Sequence, residues 1–116
     1  EMKKSVKRHH YKRLMSGDVY YCLSSENHMV CSGWSSIRNL HLSEIEKILN
    51  IEGNYVLYDF FTPVEFRNNG YYKLILQNIL FHLQSDAYIY TLKSNKASNI
   101  AIQNVGFEKT NIYSFE

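Results

Sequence analysis

Long apolar runs are missing from this chain. None approaches the roughly 18–20 residues that a bilayer-spanning helix needs, which excludes a membrane span of that kind. The start, Glu1-Met2-Lys3-Lys4, lacks an apolar stretch resembling the core of a secretory signal, and a cytoplasmic setting is expected. Beginning on Glu1 and not on Met, the chain leaves room for residues upstream. Cysteine is scarce as well. Cys22 and Cys31 stand nine positions apart with no second pair, so neither zinc-site nor thioredoxin-type spacing is present. A bridge between adjacent strands and a pair of buried, reduced thiols are the two alternatives, and the buried thiols are expected. The five histidines (His9, His10, His28, His41, His82) show no metal-ligand spacing, because the adjacent pair diverges on a helix or a strand. No metal is expected. Also absent are a nucleophile elbow, a Ser-His-Asp order signal, a Walker lysine loop, internal repeats and any low-complexity linker.

What is present fits one small domain. The chain has 116 residues, 45% hydrophobic and 21% charged. Ten tyrosines, six phenylalanines and one tryptophan can fill a core, which excludes a disordered chain. Charge is unevenly placed. Residues 1–13 carry Lys3, Lys4, Lys7, Arg8, Lys12 and Arg13 against Glu1, a net of +5. The remaining 103 residues carry seven Lys/Arg against ten Asp/Glu, a net of −3. A basic N-terminal arm, 1–13, is therefore distinguished from a core, 14–116. Such an arm could touch nucleic acid through His9, His10 and Tyr11, but a solvated terminus or an exposed helix face is the favoured reading. The net acidity of the core makes a nucleic-acid partner the least favoured.

Hydrophobic patterning predicts the order β-β-α-β-α-β-α-β. Val19–Leu23 and His28–Ser35, joined by the polar turn Ser24-Ser25-Glu26-Asn27, read as an antiparallel hairpin. Ser43–Leu49 reads as a short helix with Ser43 as N-cap and Glu44 and Glu46 in its first turn. Tyr55–Phe61 is apolar on both faces except for Asp59, as in a central strand. Tyr72, Ile75, Leu76, Ile79, Leu80 and Leu83 form one apolar stripe, so 71–83 is the strongest helix. Ala87–Leu92 reads as a strand, Ser98–Val105 as a helix closed by Gly106, and the stretch from Phe107 to Tyr113 as β. Strand 55–61, helix 71–83 and strand 87–92 make a right-handed βαβ unit with parallel strands. A mixed sheet with helices packed on its faces follows.

Arg67-Asn68-Asn69-Gly70-Tyr71-Tyr72 lies between the central strand and an amphipathic helix. Free N–H groups and the helix dipole there suit a phosphate, although one glycine before a helix is also an ordinary turn. A second motif stands downstream: Asn95-Lys96-Ala97-Ser98, then a short helix ending in Gly106-Phe107. Together these resemble the two half-signatures of the GCN5-related N-acetyltransferase (GNAT) family, Arg/Gln-x-x-Gly-x-Gly/Ala and Asn-x-x-Ala/Ser. Phe60-Phe61-Thr62-Pro63 is similar to the end of the family's central strand. The resemblance spans about residues 17–113. It implies an α/β GNAT fold whose mixed sheet contains two diverging parallel strands, with the elements ahead of the first hairpin shortened.

The resemblance further implies acetyl-coenzyme A as cosubstrate, lying in the V-shaped opening between strands 55–61 and 87–92, and direct transfer to an amine. Phe60, Phe61, Thr62, Arg67, Asn68, Asn69, Gly70, Tyr71, Tyr72, Lys73, Asn95 and Ser98 would hold the cosubstrate. Tyr72 departs from the expected Gly/Ala and should turn into the core. The family's acid tyrosine falls on Ile102, which cannot donate a proton, so either another group such as Tyr90, Tyr88 or Tyr71 substitutes or the thiolate leaves unaided. For the base, Asp59 in its apolar strand would be desolvated, or else would tie sheet to helix; Glu65, His28 and His41 are further candidates. Trp34 would either line the acceptor side or pack in the core. The acceptor is a small amine, an amino sugar or a protein amine, with an amino sugar the first expectation, and a homodimer is left open. The alternative is a GNAT-fold module that binds coenzyme A or a partner protein without turnover.

Overall fold

The computed structural model describes residues 4–37, 40–42, 47–49 and 55–109, with side chains described for 8–37 and 55–109. The elements are α1 (Lys4–Met15), β1 (Val19–Ser25), β2 (His28–Ser36), β3 (Leu40–Leu42), β4 (Lys47–Leu49), β5 (Tyr55–Phe61), α2 (Tyr71–Leu83), β6 (Ala87–Ile89) and α3 (Lys96–Val105). A single 3-10 turn, Val64–Phe66, precedes α2. Four strands form one mixed sheet in the order β1-β2-β5-β6, while β3 and β4 pair separately. β1, β2 and β5 are antiparallel neighbours, and β5 and β6 run parallel. The expected hairpin, central strand and βαβ unit are all present.

The two faces of the sheet are packed differently because successive strand residues point to opposite sides. Cys31 and Leu57 face α2 and α3, where Ile75, Leu76, Ile79 and Ile102 close the larger core. Trp34, Val56 and Tyr58 face the other side, with Tyr20 packed against them. The stripe of α2 buries Ile75, Leu76 and Ile79, as its period requires. α1 lies against the second face through His10, whose ring is 5.1 Å from both Tyr20 and Trp34.

Several local expectations change. Of the helix expected over Ser43–Leu49, Lys47–Leu49 is instead a strand paired antiparallel with Leu40–Leu42, and residues 43–46 lie outside the described residues. Cross-strand pairing there overrides the propensity of the Glu-rich segment. The last parallel strand ends at Ile89 and does not continue to Leu92. α3 starts at Lys96, earlier than Ser98, because Asn95 caps it, accepting a hydrogen bond from the Ser98 N–H at 3.2 Å. Phe107–Lys109 is irregular, and the remainder of the expected final strand lies outside the described residues. Both cysteines are free thiols, but only Cys31 is buried and Cys22 is exposed, against the expectation of two buried thiols; Cys22 stands opposite Ser32 and Cys31 opposite Leu23, so they do not face each other.

Candidate acetyl-coenzyme A site

The opening expected between the parallel strands is built by an early end to their ladder. β5 and β6 pair at Tyr55–Ala87, Val56–Tyr88 and Leu57–Ile89, and there the register stops. β5 continues to Phe61, still paired with β2, but β6 offers no partner over Asp59–Phe61. Main-chain donors and acceptors along that stretch can be matched by an amide-bearing ligand lying like a strand.

A bulge sharpens the departure. Between Trp34–Tyr58 and Ser32–Phe61, β5 uses one residue more than β2, and Asp59 takes up the difference at φ +54°. The extra residue sets Tyr58 and Asp59 both toward α1, and it returns Phe60 to the α2 face. There the Phe60 ring lies over Gly33, so closely that a Cβ on Gly33 would stand 2.2 Å from Phe60 Cε1. Phe60 also meets Tyr72 edge-on, with ring centroids 5.3 Å apart.

The loop that follows is held by its own polar groups. Arg67 Nε donates to the Thr62 carbonyl at 2.9 Å, so the positive charge is anchored beside the end of β5. Asn69 Nδ2 donates to the carbonyls of Phe66 and Arg67, each at 3.1 Å. Asn68 (φ +64°) and Gly70 (φ +77°) adopt left-handed backbone and turn the chain into α2. Gly70 is the N-cap and has no side chain to satisfy the first turn, which leaves the N–H groups of Tyr71, Tyr72 and Lys73 directed out of the helix end.

Tyr72 turns into the core, as its bulk requires. Burial first of all, with the Cys31 thiol adding, pushes its phenol up to about 12, against the lowering effect of its hydrogen bond with Ser98. That bond links the first turn of α2 to the first turn of α3, and so joins the two motifs that lie far apart in sequence. Thr62 Oγ1 donates to Cys31 Sγ at 3.3 Å, fixing the end of β5 to β2. Burial raises the Cys31 thiol above its ordinary range.

The candidate catalytic groups sit at the rim. Asp59 is not desolvated: its side chain is 55% exposed and forms an ion pair with Arg13 at 2.6 Å, so the tie between sheet and helix is what is observed. The bulge explains the difference, since it lifts the carboxylate out of the buried alternation of β5. Glu65 is exposed on the 3-10 turn, and Tyr90 is partly exposed just past β6. Ile102 is buried in the larger core. His28 is exposed, its ring tilted at 38° to that of Phe66 with centroids 6.1 Å apart, whereas the side chain of His41 lies outside the described residues. Trp34 is fully packed under Arg13. Arg13 and Gly33 are the two contributors that sequence reasoning missed. Arg13 acts 46 positions from its partner, and Gly33 acts through a ring from another strand.

The overall fold is shared with solved acetyltransferases. AAC(6')-Iy, in complex with the bisubstrate analogue CoA-S-monomethyl-acetylneamine, is similar at a TM-score of 0.72 and 16% identity, over 100% of this chain and 80% of that one. The fold is that of the GCN5-related N-acetyltransferases. Aminoglycoside antibiotic 6'-N-acetyltransferase AAC(6')-IG from Acinetobacter haemolyticus is similar at 0.69 and 16% identity, over 100% and 81%. The aminoglycoside acetyltransferase meta-AAC0020 from an uncultured soil metagenomic sample, in complex with sisomicin, follows at 0.63 and 15%, over 100% and 75%. At these identities the likeness to the GNAT structures is one of fold, and no protein-family model and no curated protein matches the sequence. Among the described residues no cluster of metal-ligating side chains occurs, and no helix is long and apolar enough to cross a membrane.

Proposed function

We propose that the protein is an acetyl-coenzyme A-dependent N-acetyltransferase acting directly on an amine. The observation that carries this is the end of the β5–β6 ladder at Leu57–Ile89 beside the outward-facing N–H groups of Tyr71–Lys73. The freed edge of Phe60 and Phe61 would bind the pantetheine amides, while the first turn of α2, with Asn68, Asn69, Gly70 and the charge of Arg67, would take the pyrophosphate. Asn95 and Ser98 hold the start of α3 at the other wall. One known structure of this fold binds a coenzyme A bisubstrate analogue, which supports the same use here.

In the reaction the acceptor nitrogen attacks the thioester carbonyl. A C–N bond forms, the C–S bond breaks, the amine gives up a proton and the thiolate receives one. Backbone N–H groups near Thr62 would polarise the carbonyl oxygen. Holding both substrates in line supplies much of the rate. Ile102 cannot protonate the thiolate, so Tyr90, at the rim, is the group assigned to that step, and Asp59 and Glu65 are the carboxylates assigned to the amine side. Binding without turnover is the second reading, favoured by buried Ile102 at the acid position and by the Arg13–Asp59 pair. Free-thiol release from acetyl-coenzyme A with a panel of amines separates the two. A transferase releases thiol in proportion to acceptor, and a binder gives nothing above hydrolysis.

A further inference from the structure

Arg13 occupies a site that is built for a cation. Its guanidinium carbon lies 5.1 Å from the ring centroid of Trp34 and 5.2 Å from that of Tyr58, and its Nη1 is 2.6 Å from Asp59 Oδ2. The Tyr58 hydroxyl donates to buried Asp18, which fixes the ring that receives the guanidinium. Two aromatic faces and a carboxylate are what selects an organic cation from water.

The cation comes from the chain itself, on an element with several side chains open to solvent. Tyr11, Leu14 and Met15 of α1 are 64%, 54% and 71% exposed, while the described ring and charge contacts to the sheet run through His10 and Arg13. The carboxylate, by contrast, is placed at a backbone cost, since a non-glycine residue stands at φ +54° to aim it there. Asp59 also lies two residues beyond Leu57, the last residue of β5 paired with β6.

We infer that Trp34, Tyr58 and Asp59 form a subsite for an ammonium or guanidinium group of the acceptor, and that Arg13 is its resident stand-in, displaced when the acceptor binds. The assignment to the acceptor rests on the acetyl-transfer proposal; the cation site rests on the geometry. An ammonium ion-paired to Asp59 has no free electron pair and cannot attack a thioester. The group held here is therefore a second basic nitrogen that positions an unprotonated one, and the acceptors are amines with at least two basic nitrogens. A site filled by a resident group also loses apparent affinity in proportion to the fraction of chains that keep it filled.

The chain's single tryptophan lies in this site, so its fluorescence reports occupancy directly. Titration with 1,3-diaminopropane should give a saturable change in the unmodified chain, at about tenfold lower concentration in Arg13→Met, which keeps the apolar stem and removes the charge. Asp59→Asn in the Arg13→Met background should abolish it. Equal affinity with and without the Arg13 charge, or binding that survives Asp59→Asn, overturns the inference and leaves Arg13 as a structural tie. If Arg13→Met does not fold, Asp59→Asn in the unmodified chain carries the same test, since it must remove the diamine response. Calorimetry with coenzyme A runs alongside. Diamine binding without coenzyme A binding sinks the acetyl-transfer proposal and keeps the cation site, and the reverse sinks only the cation site.

Discussion

Gly33 decides where Phe60 can go. No side chain fits between the two strands there, because a Cβ would meet the ring at 2.2 Å. Gly33→Ala is expected to push Phe60 off the sheet at a cost of about 1–3 kcal/mol in urea unfolding. It should also weaken coenzyme A binding, since the displaced ring lies on the strand that forms the opening. Tyr72 makes a pH prediction. Its phenol ionises near 10.0 when unfolded and at about 12 when folded, chiefly through burial. A pKa raised by folding stabilises the protein fully below the lower value and loses that contribution as pH climbs through the higher one. The urea midpoint should therefore fall between pH 10.0 and about 12, and the fall should be smaller in Tyr72→Phe.

At the scale of elements, the cap of α3 carries a separate prediction. Asn95→Ala removes the acceptor for the Ser98 N–H and should destabilise the chain by about 1 kcal/mol, read by chemical denaturation. Elements with a dominant period were legible in the sequence. α2 follows from a six-residue apolar stripe, and β5 from a run apolar on both faces. Lys47–Leu49 was misread as the end of a helix because Ser43 and the glutamates after it resemble a helix start in sequence, whereas pairing with Leu40–Leu42 decides its observed conformation. Asn95 was legible as a motif position. Its cap role was not, since that depends on where the backbone turns. The Arg13–Asp59 contact carries no sequence signal at all: it spans 46 residues and exists only because a bulge turns Asp59 toward α1.

Over the whole molecule, charge and shape combine. The basic stretch that gives residues 1–13 a net of +5 is largely a helix in the structure, and its Arg13 is folded back onto the sheet. The two motifs, 25 residues apart from Gly70 to Asn95, meet through the Tyr72–Ser98 bond at the mouth of the parted strands. This mouth is the proposed coenzyme A site. Calorimetric titration of the chain with acetyl-coenzyme A tests it most directly. Saturable binding of one molecule per chain, with a micromolar dissociation constant weakened by Arg67→Ala, is the predicted result; the absence of any binding heat would contradict it.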